Sequence, residues 1–254
     1  MRQLPLGCRG AIVPHAPLLL AELSSPEVEP SAEAIRSAIA ALDLGAPDVV
    51  VMLSPHGKTT GVYGRAAGSL TEFGVDWVTV DRAADRDAAA QLARAWGRPV
   101  LDDDVDHGVL VALRMLDACG APVVAAALAE RDTGYGDVRL VAHRFAAAVT
   151  ALTHGGRVAF VASANTSAAL SRRAPFTERA EAVGVERLLL EGLPRDAGCA
   201  DDLADDLARR GLSCGAGPLA AFGRLFRGAP AVVDAYESPV GIGYLVAHAA
   251  EAEQ

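Results

Sequence analysis

Five short stretches carry side chains able to bind a metal or move a proton. They are Pro14-His15-Ala16-Pro17, Ser54-Pro55-His56-Gly57, Asp106-His107-Gly108, Ser163-Ala164-Asn165-Thr166-Ser167 and Tyr236-Glu237-Ser238-Pro239. Two neutral imidazoles and one carboxylate on one face of an ion make the facial triad of non-haem Fe(II) centres, with positions left open for substrate and oxygen. Zn, Mn and Cu accept similar donors, so such a set does not name the metal. Each residue also has an ordinary structural reading. His15, between prolines, can satisfy backbone groups of a loop, and Gly57 beside His56 permits close backbone approach at a strand exit. Asp106 can cap a helix that begins near His107. Glu237 can be a solvated turn carboxylate, His143 a helix residue, His248 an exposed residue near the C-terminus, and His154 the start of a Gly-Gly turn. The joint arrangement argues for chemistry more strongly than any single member.

The elements that must position these residues follow from the hydrophobic pattern. Gly10–Val13 is a short apolar run that stops at Pro14, and Asp48–Leu53 is a continuous β-branched run between Pro47 and Pro55, the pattern of a fully buried strand. Further strands are expected at Trp77–Val80, Pro122–Ala127, Arg157–Ala162, Ala231–Ala235 and Gly243–Ala247. Helical spacing is found at Ser31–Leu42, Ala84–Trp96, Gly108–Ala118, Asp137–Leu152, Thr177–Leu190, Ala200–Arg210 and Leu219–Phe226. This alternation predicts an α/β fold, a single domain over 1–254 whose central, mostly parallel sheet is covered by helices on both faces. Ligands of such sheets bind beyond the carboxyl ends of the strands. Four of the five motifs follow a predicted strand and the fifth opens a helix, so a parallel sheet would gather them on one edge.

Composition narrows the function classes. A hydrophobic content of 51% with 22% charged residues is that of an ordinary globular chain. The net charge of −9 argues against nonspecific attraction to nucleic acid or to an anionic membrane surface. Cys8, Cys119, Cys199 and Cys214 form no C-x-x-C pair and are expected as reduced thiols, and with no long apolar segment a cytoplasmic location is expected. No G-x-G-x-x-G follows the first strand, which weakens a nucleotide-binding reading.

In this order, from Gly10 to Val246, the motifs resemble the LigB-like superfamily, which includes class III extradiol ring-cleavage dioxygenases and the Memo branch. The resemblance implies that His15, His56 and Glu237 ligate the metal. Fe(II) is the expected ion, with Zn, Mn or Cu as alternatives. It implies that His107 lies near the substrate, positioning a hydroxyl or assisting proton transfer, and Asn165 and Ser167 are expected to shape the pocket. The implied substrate is a small molecule, an aromatic diol or other bidentate compound, and analogy of fold suggests a homodimer. One stretch departs from the pattern. The family usually carries Gly-Asp-x-Ser-His after the strand that corresponds to Arg157–Ala162, and its histidine deprotonates the diol. Here Ala164-Asn165-Thr166-Ser167-Ala168 has Asn165 for the aspartate and Ala168 for the histidine. Alanine carries no proton, and a general base commonly contributes on the order of 10² to 10⁴ in rate. Three readings stay open: a dioxygenase-like metalloenzyme with an incomplete acid/base set, a metalloenzyme of different chemistry such as hydrolysis or isomerisation, and a non-catalytic, Memo-like binding or regulatory protein.

Overall fold

The β-branched run after Pro47 forms a strand near the middle of a large sheet in the computed structural model, which describes residues 8–116, 120–129, 138–153 and 156–249. The strands are β1 (Cys8–Val13), β2 (Val49–Gly57), β3 (Gly61–Tyr63), β4 (Ala66–Leu70), β5 (Val75–Arg82), β6 (Val100–Leu101), β7 (Val123–Ala129), β8 (Val158–Ser163), β9 (Ala231–Glu237) and β10 (Tyr244–Ala249). The helices are α1 (Glu29–Ala40), α2 (Arg86–Trp96), α3 (His107–Met115), α4 (Val138–Thr153), α5 (Ala180–Gly192), α6 (Cys199–Asp202), α7 (Ala204–Arg209) and α8 (Ala216–Leu225). The main sheet has the order β6-β3-β7-β2-β8-β1-β10-β9. Its centre, β7-β2-β8-β1, is parallel throughout, while β10 pairs antiparallel with both β1 and β9. The fold is thus a single-domain α/β arrangement with a mostly parallel central sheet flanked by helices, as the alternation predicts.

Alternating side chains of the central strands feed two cores. Val49, Val51 and Leu53 of β2, with Phe160 and Ala162 of β8, face the core under α2, α4, α5 and α8. Val50 and Met52, with Ala159 and Val161, face the opposite core under α1, α3 and the hairpin β4–β5. An aromatic ladder ties the first core together: the Trp96 and Phe145 rings lie 4.8 Å apart, and Phe145 and Phe160 lie 6.1 Å apart.

Several expectations need correction. Trp77–Val80 falls in β5, which pairs with β4 as a separate two-stranded hairpin rather than in the main sheet. The predicted helix Ala200–Arg210 divides into α6 and α7 at Leu203. The short strands β3, β4 and β6 carry no pattern that announces them. His154, Cys119 and the ends of two predicted helices at Ala118 and Asp137 lie outside the described residues. Among the described residues no helix is long and apolar enough to cross a membrane.

Candidate metal centre

The exits of β1 and β2 and the start of α3 meet at one edge of the sheet. His15, 1% exposed, follows β1. Its Nδ1 lies 3.0 Å from Ser163 Oγ at the end of the neighbouring β8, and that hydroxyl donates to the Gly108 carbonyl at 2.7 Å. A serine hydroxyl has one proton. With it committed to Gly108, Ser163 accepts from His15 Nδ1–H, and the lone pair sits on His15 Nε2.

His56 lies at the end of β2, where the register with β7 shifts between Ser54 and Gly57. A side chain on Gly57 would crowd Ala127, so the close approach expected of this glycine is present. His56 Nε2 lies 3.1 Å from His15 Nε2.

His107 opens α3 behind an Asp106 cap whose Oδ1 accepts from Gly108 N at 2.8 Å and Val109 N at 3.1 Å. The same carboxylate accepts from Ser54 at 2.5 Å and Tyr63 at 2.9 Å, which moors the helix to the β2 exit. Burial raises the Asp106 carboxyl above its ordinary range, although these hydrogen bonds oppose the shift. A Cβ on Gly108 would collide with Ser54 Oγ, so only glycine lets α3 come this near. His107 Nδ1 lies 2.8 Å from Glu72 Oε1, in the turn between β4 and β5, and the neighbouring Phe73 ring meets the imidazole edge-on at 5.0 Å. A carboxylate accepts from Nδ1–H, which leaves the His107 Nε2 lone pair as the available donor.

One possible ligand nitrogen from each of the three imidazoles lies within 4.8 Å of the others. Burial lowers His15 well below its usual pKa, with further lowering from His56 and His107, and burial also pushes His56 down to about 3. Both rings are therefore neutral at pH 7, and a cation need not displace their protons. Imidazole donors suit Zn, Cu, Fe and Ni, and three histidines, two of them with the second ring nitrogen held, are a set that could hold such an ion. The residues fit a divalent ion. Among the described residues no other group of His, Cys, Asp or Glu has comparable geometry.

Glu237, expected as the carboxylate ligand, is not part of this group. Its Oε2 accepts from Ser31 of α1 at 2.8 Å. The physical reason is strand order. β9 reaches the predicted edge, but β10 lies between it and β1, which sets Glu237 roughly 9–10 Å across the sheet. His107, expected near the substrate, stands with His15 and His56 and lines the cavity above them.

A cavity of about 710 Å³ opens above the three rings and is lined by His15, His56 and His107 together with Asn165 and Ala168. Asn165 Oδ1 accepts from the His15 backbone N–H at 3.1 Å, which leaves its amide N–H groups as donors at the wall. Ser167 is fully buried and does not line the cavity; its backbone N–H donates to Glu186 at 3.0 Å. Its position behind the wall is a structural one. His143 and His248 pair with Asp201 and Asp234 away from the centre.

Sequence reasoning missed four wall or support residues: Glu72, Phe73, Cys214 and Tyr244. Cys214 Sγ lies 3.4 Å from His15 Nε2, and Tyr244, opposite Glu237 in register, is fully buried and lines the cavity. Its hydroxyl has no partner among the described residues. None of the four sits in a spaced motif, so only the fold reveals them.

No family profile matches the chain, and no curated protein does. The chain is similar in structure to uncharacterized protein JW3007 from Escherichia coli K12, at a TM-score of 0.60 and 17% identity, over 94% of this chain and 98% of that one. A likeness at that identity concerns the fold alone.

Proposed function

We propose that this chain is a non-haem, metal-dependent dioxygenase-like enzyme, with Fe(II) the first ion to test, acting on a catechol-like or other bidentate small molecule. The observation that supports it is the convergence of three imidazoles at the base of an open cavity. His15, His56 and His107 would hold the ion, with Ser163 and Glu72 fixing the ring orientations of His15 and His107. When bound, a redox-capable ion supplies the Lewis acidity and electron transfer that ring cleavage requires. The chain's own residues bind and orient: the Asn165 amide offers hydrogen bonds from the wall.

Proton transfer is the weak step. Ala168 turns only a methyl group to the cavity, and His107 serves as a ligand in this reading. Burial raises the Tyr244 hydroxyl above its ordinary range, which makes it a poor base at neutral pH. Ala168 therefore favours a second reading, a metal-dependent binding protein without turnover.

Anaerobically purified protein loaded with Fe(II) and assayed by oxygen uptake against a panel of catechols separates the two. Slow, catechol-dependent uptake that is absent from His56→Ala is the expected result. Catechol binding without uptake would leave the binding reading. Failure to take up Fe(II), Zn(II), Mn(II) or Cu(II) would remove both.

A further inference from the structure

The segment that follows β8 has no regular structure, yet residues 164–168 are buried throughout. Buried backbone groups must be paired, so its hydrogen bonds have to come from other parts of the chain. Ala164 N donates to the Val13 carbonyl at 2.9 Å, Thr166 N to Gly243 at 2.9 Å and Ala168 N to Gly211 at 2.7 Å. Ser167 N differs from these. It donates to a carboxylate, Glu186 Oε2, at 3.0 Å.

Glu186 lies within α5 and is 3% exposed, on the same inward face as Ala182, Val185 and Leu189. A buried carboxylate is costly unless it is hydrogen-bonded. Its Oε1 accepts from Thr166 Oγ1, and the Tyr236 hydroxyl of β9 also donates to it. Burial raises the carboxyl above its ordinary range, and these donors oppose that shift. A Cβ on Gly243 would collide with both Thr166 Oγ1 and Glu186 Oε1, so β10 is entered through a glycine that makes room for the pair. Apolar contacts would hold α5 equally well to the sheet. Directional bonds to two successive loop residues fix the path of that loop.

The path matters because of Asn165. Its Oδ1 accepts from His15 N at 3.1 Å, and its carbonyl accepts from Ser213 Oγ at 3.0 Å. Asn165, Thr166, Ala168 and Ser213 all line the cavity above the histidines. We infer that Glu186 is a positioning residue for the candidate metal centre: through Thr166 and Ser167 it sets the loop that holds Asn165 against the His15 main chain. The inference rests on His15 belonging to the proposed metal site.

Two readouts test it: amide hydrogen exchange of metal-free protein, and zinc affinity by competition with a chelator. In Glu186→Ala, exchange at His15 should accelerate roughly tenfold more than at Met52, a buried residue of β2. Zinc affinity should fall about tenfold. Glu186→Gln keeps an acceptor for Ser167 N and offers a donor to the Thr166 oxygen, so it should restore most of both. Exchange rising equally at His15 and Met52, with no recovery in Glu186→Gln, would make Glu186 a plain structural anchor and overturn the inference. Unchanged affinity in a protein that does bind zinc would overturn it too. Should Glu186→Ala not fold, Thr166→Val decides. It removes one donor and should speed His15 exchange about threefold relative to Met52, and no change would be fatal. Failure of the wild type to bind zinc or Fe(II) would sink the metalloenzyme reading, while exchange at His15 still decides what Glu186 positions.

Discussion

Two histidine-bearing polar clusters lie in this fold, one at the edge of the parallel sheet and one among the helices on its face. In the second, Asp201 of α6 is 1% exposed and sits among cations. It accepts from His143 at 2.7 Å, Arg139 at 3.1 Å and Arg227 at 2.8 Å. Burial alone would raise its carboxyl, but the hydrogen bonds from His143 and Arg227 win, and the net shift is downward. Charge there is matched by charge within the chain. At the first cluster, His15, His56 and His107 face one another, and the supporting groups Ser163 and Glu72 lie behind His15 and His107. One cluster is closed by ion pairs and ties helices together; the other gathers three ring nitrogens that could hold a cation. Histidine content alone does not separate a structural cluster from a site. The gathering of several ring nitrogens within reach of one point does.

The comparison breaks most severely if Asp201 is removed. Asp201→Ala removes the acceptor shared by Arg139, His143 and Arg227, which stay part-exposed with Asp205 and Asp202 beside the arginines, and is expected to cost about 1.5 kcal/mol in chemical denaturation. Metal content should be untouched. A loss of metal together with stability would mean that the clusters are not independent. At the other cluster, Glu72→Ala should weaken ion binding by about 10- to 100-fold with little loss of stability, because it frees the His107 ring without touching a ligand nitrogen. An unchanged affinity would remove Glu72 from the site.

Acid separates the clusters more gently. His15 and His56 are held below their ordinary pKa of about 6.5, and His56 reaches about 3. Between those values the unfolded chain binds protons that the folded chain refuses. Stability of the metal-free protein is therefore fully present above pH 6.5 and lost as pH falls toward 3. The depressed Asp201 carboxyl adds a further loss at lower pH, below its unfolded value of about 3.9. Denaturation midpoints at pH 7.5 and pH 5 check the histidine contribution, and His56→Gln should flatten the slope between them. A wild-type protein indifferent to pH across that range would contradict the burial of these rings. The smallest effect is expected from Ala168→His. Asn165 Oδ1 is committed to the His15 backbone and is a poor partner for a new imidazole, so oxygen uptake with catechols should stay slow. Vigorous cleavage by this variant would show that one proton carrier was all the site lacked.

Much of this was legible in the sequence, and the illegible part has identifiable causes. Residues 49–53 of β2 and 158–162 of β8 are apolar throughout because the sheet is covered on both faces, and the ends of β1, β2 and β8 place His15, His56 and Asn165. Asp106 read correctly as a cap because its spacing to the helix is local. Glu237 stands apart from the three histidines because β10 inserts between β9 and β1, a long-range choice that no local pattern encodes. Glu72 and Phe73 sit in the turn between β5, legible as the strand Trp77–Val80, and β4, whose Ala66–Leu70 carries no strand pattern, and Tyr244 resembles any aromatic residue at a strand start. Ser167 was assigned to the cavity on sequence adjacency, whereas the loop turns its backbone toward Glu186.

The most direct test of the account is the elemental metal content of anaerobically purified wild type, His107→Ala and Glu237→Ala. The account predicts a near-stoichiometric ion in wild type and in Glu237→Ala, and its loss from His107→Ala. An ion lost from Glu237→Ala and retained by His107→Ala would contradict the three-histidine centre and restore the carboxylate to the ligand set.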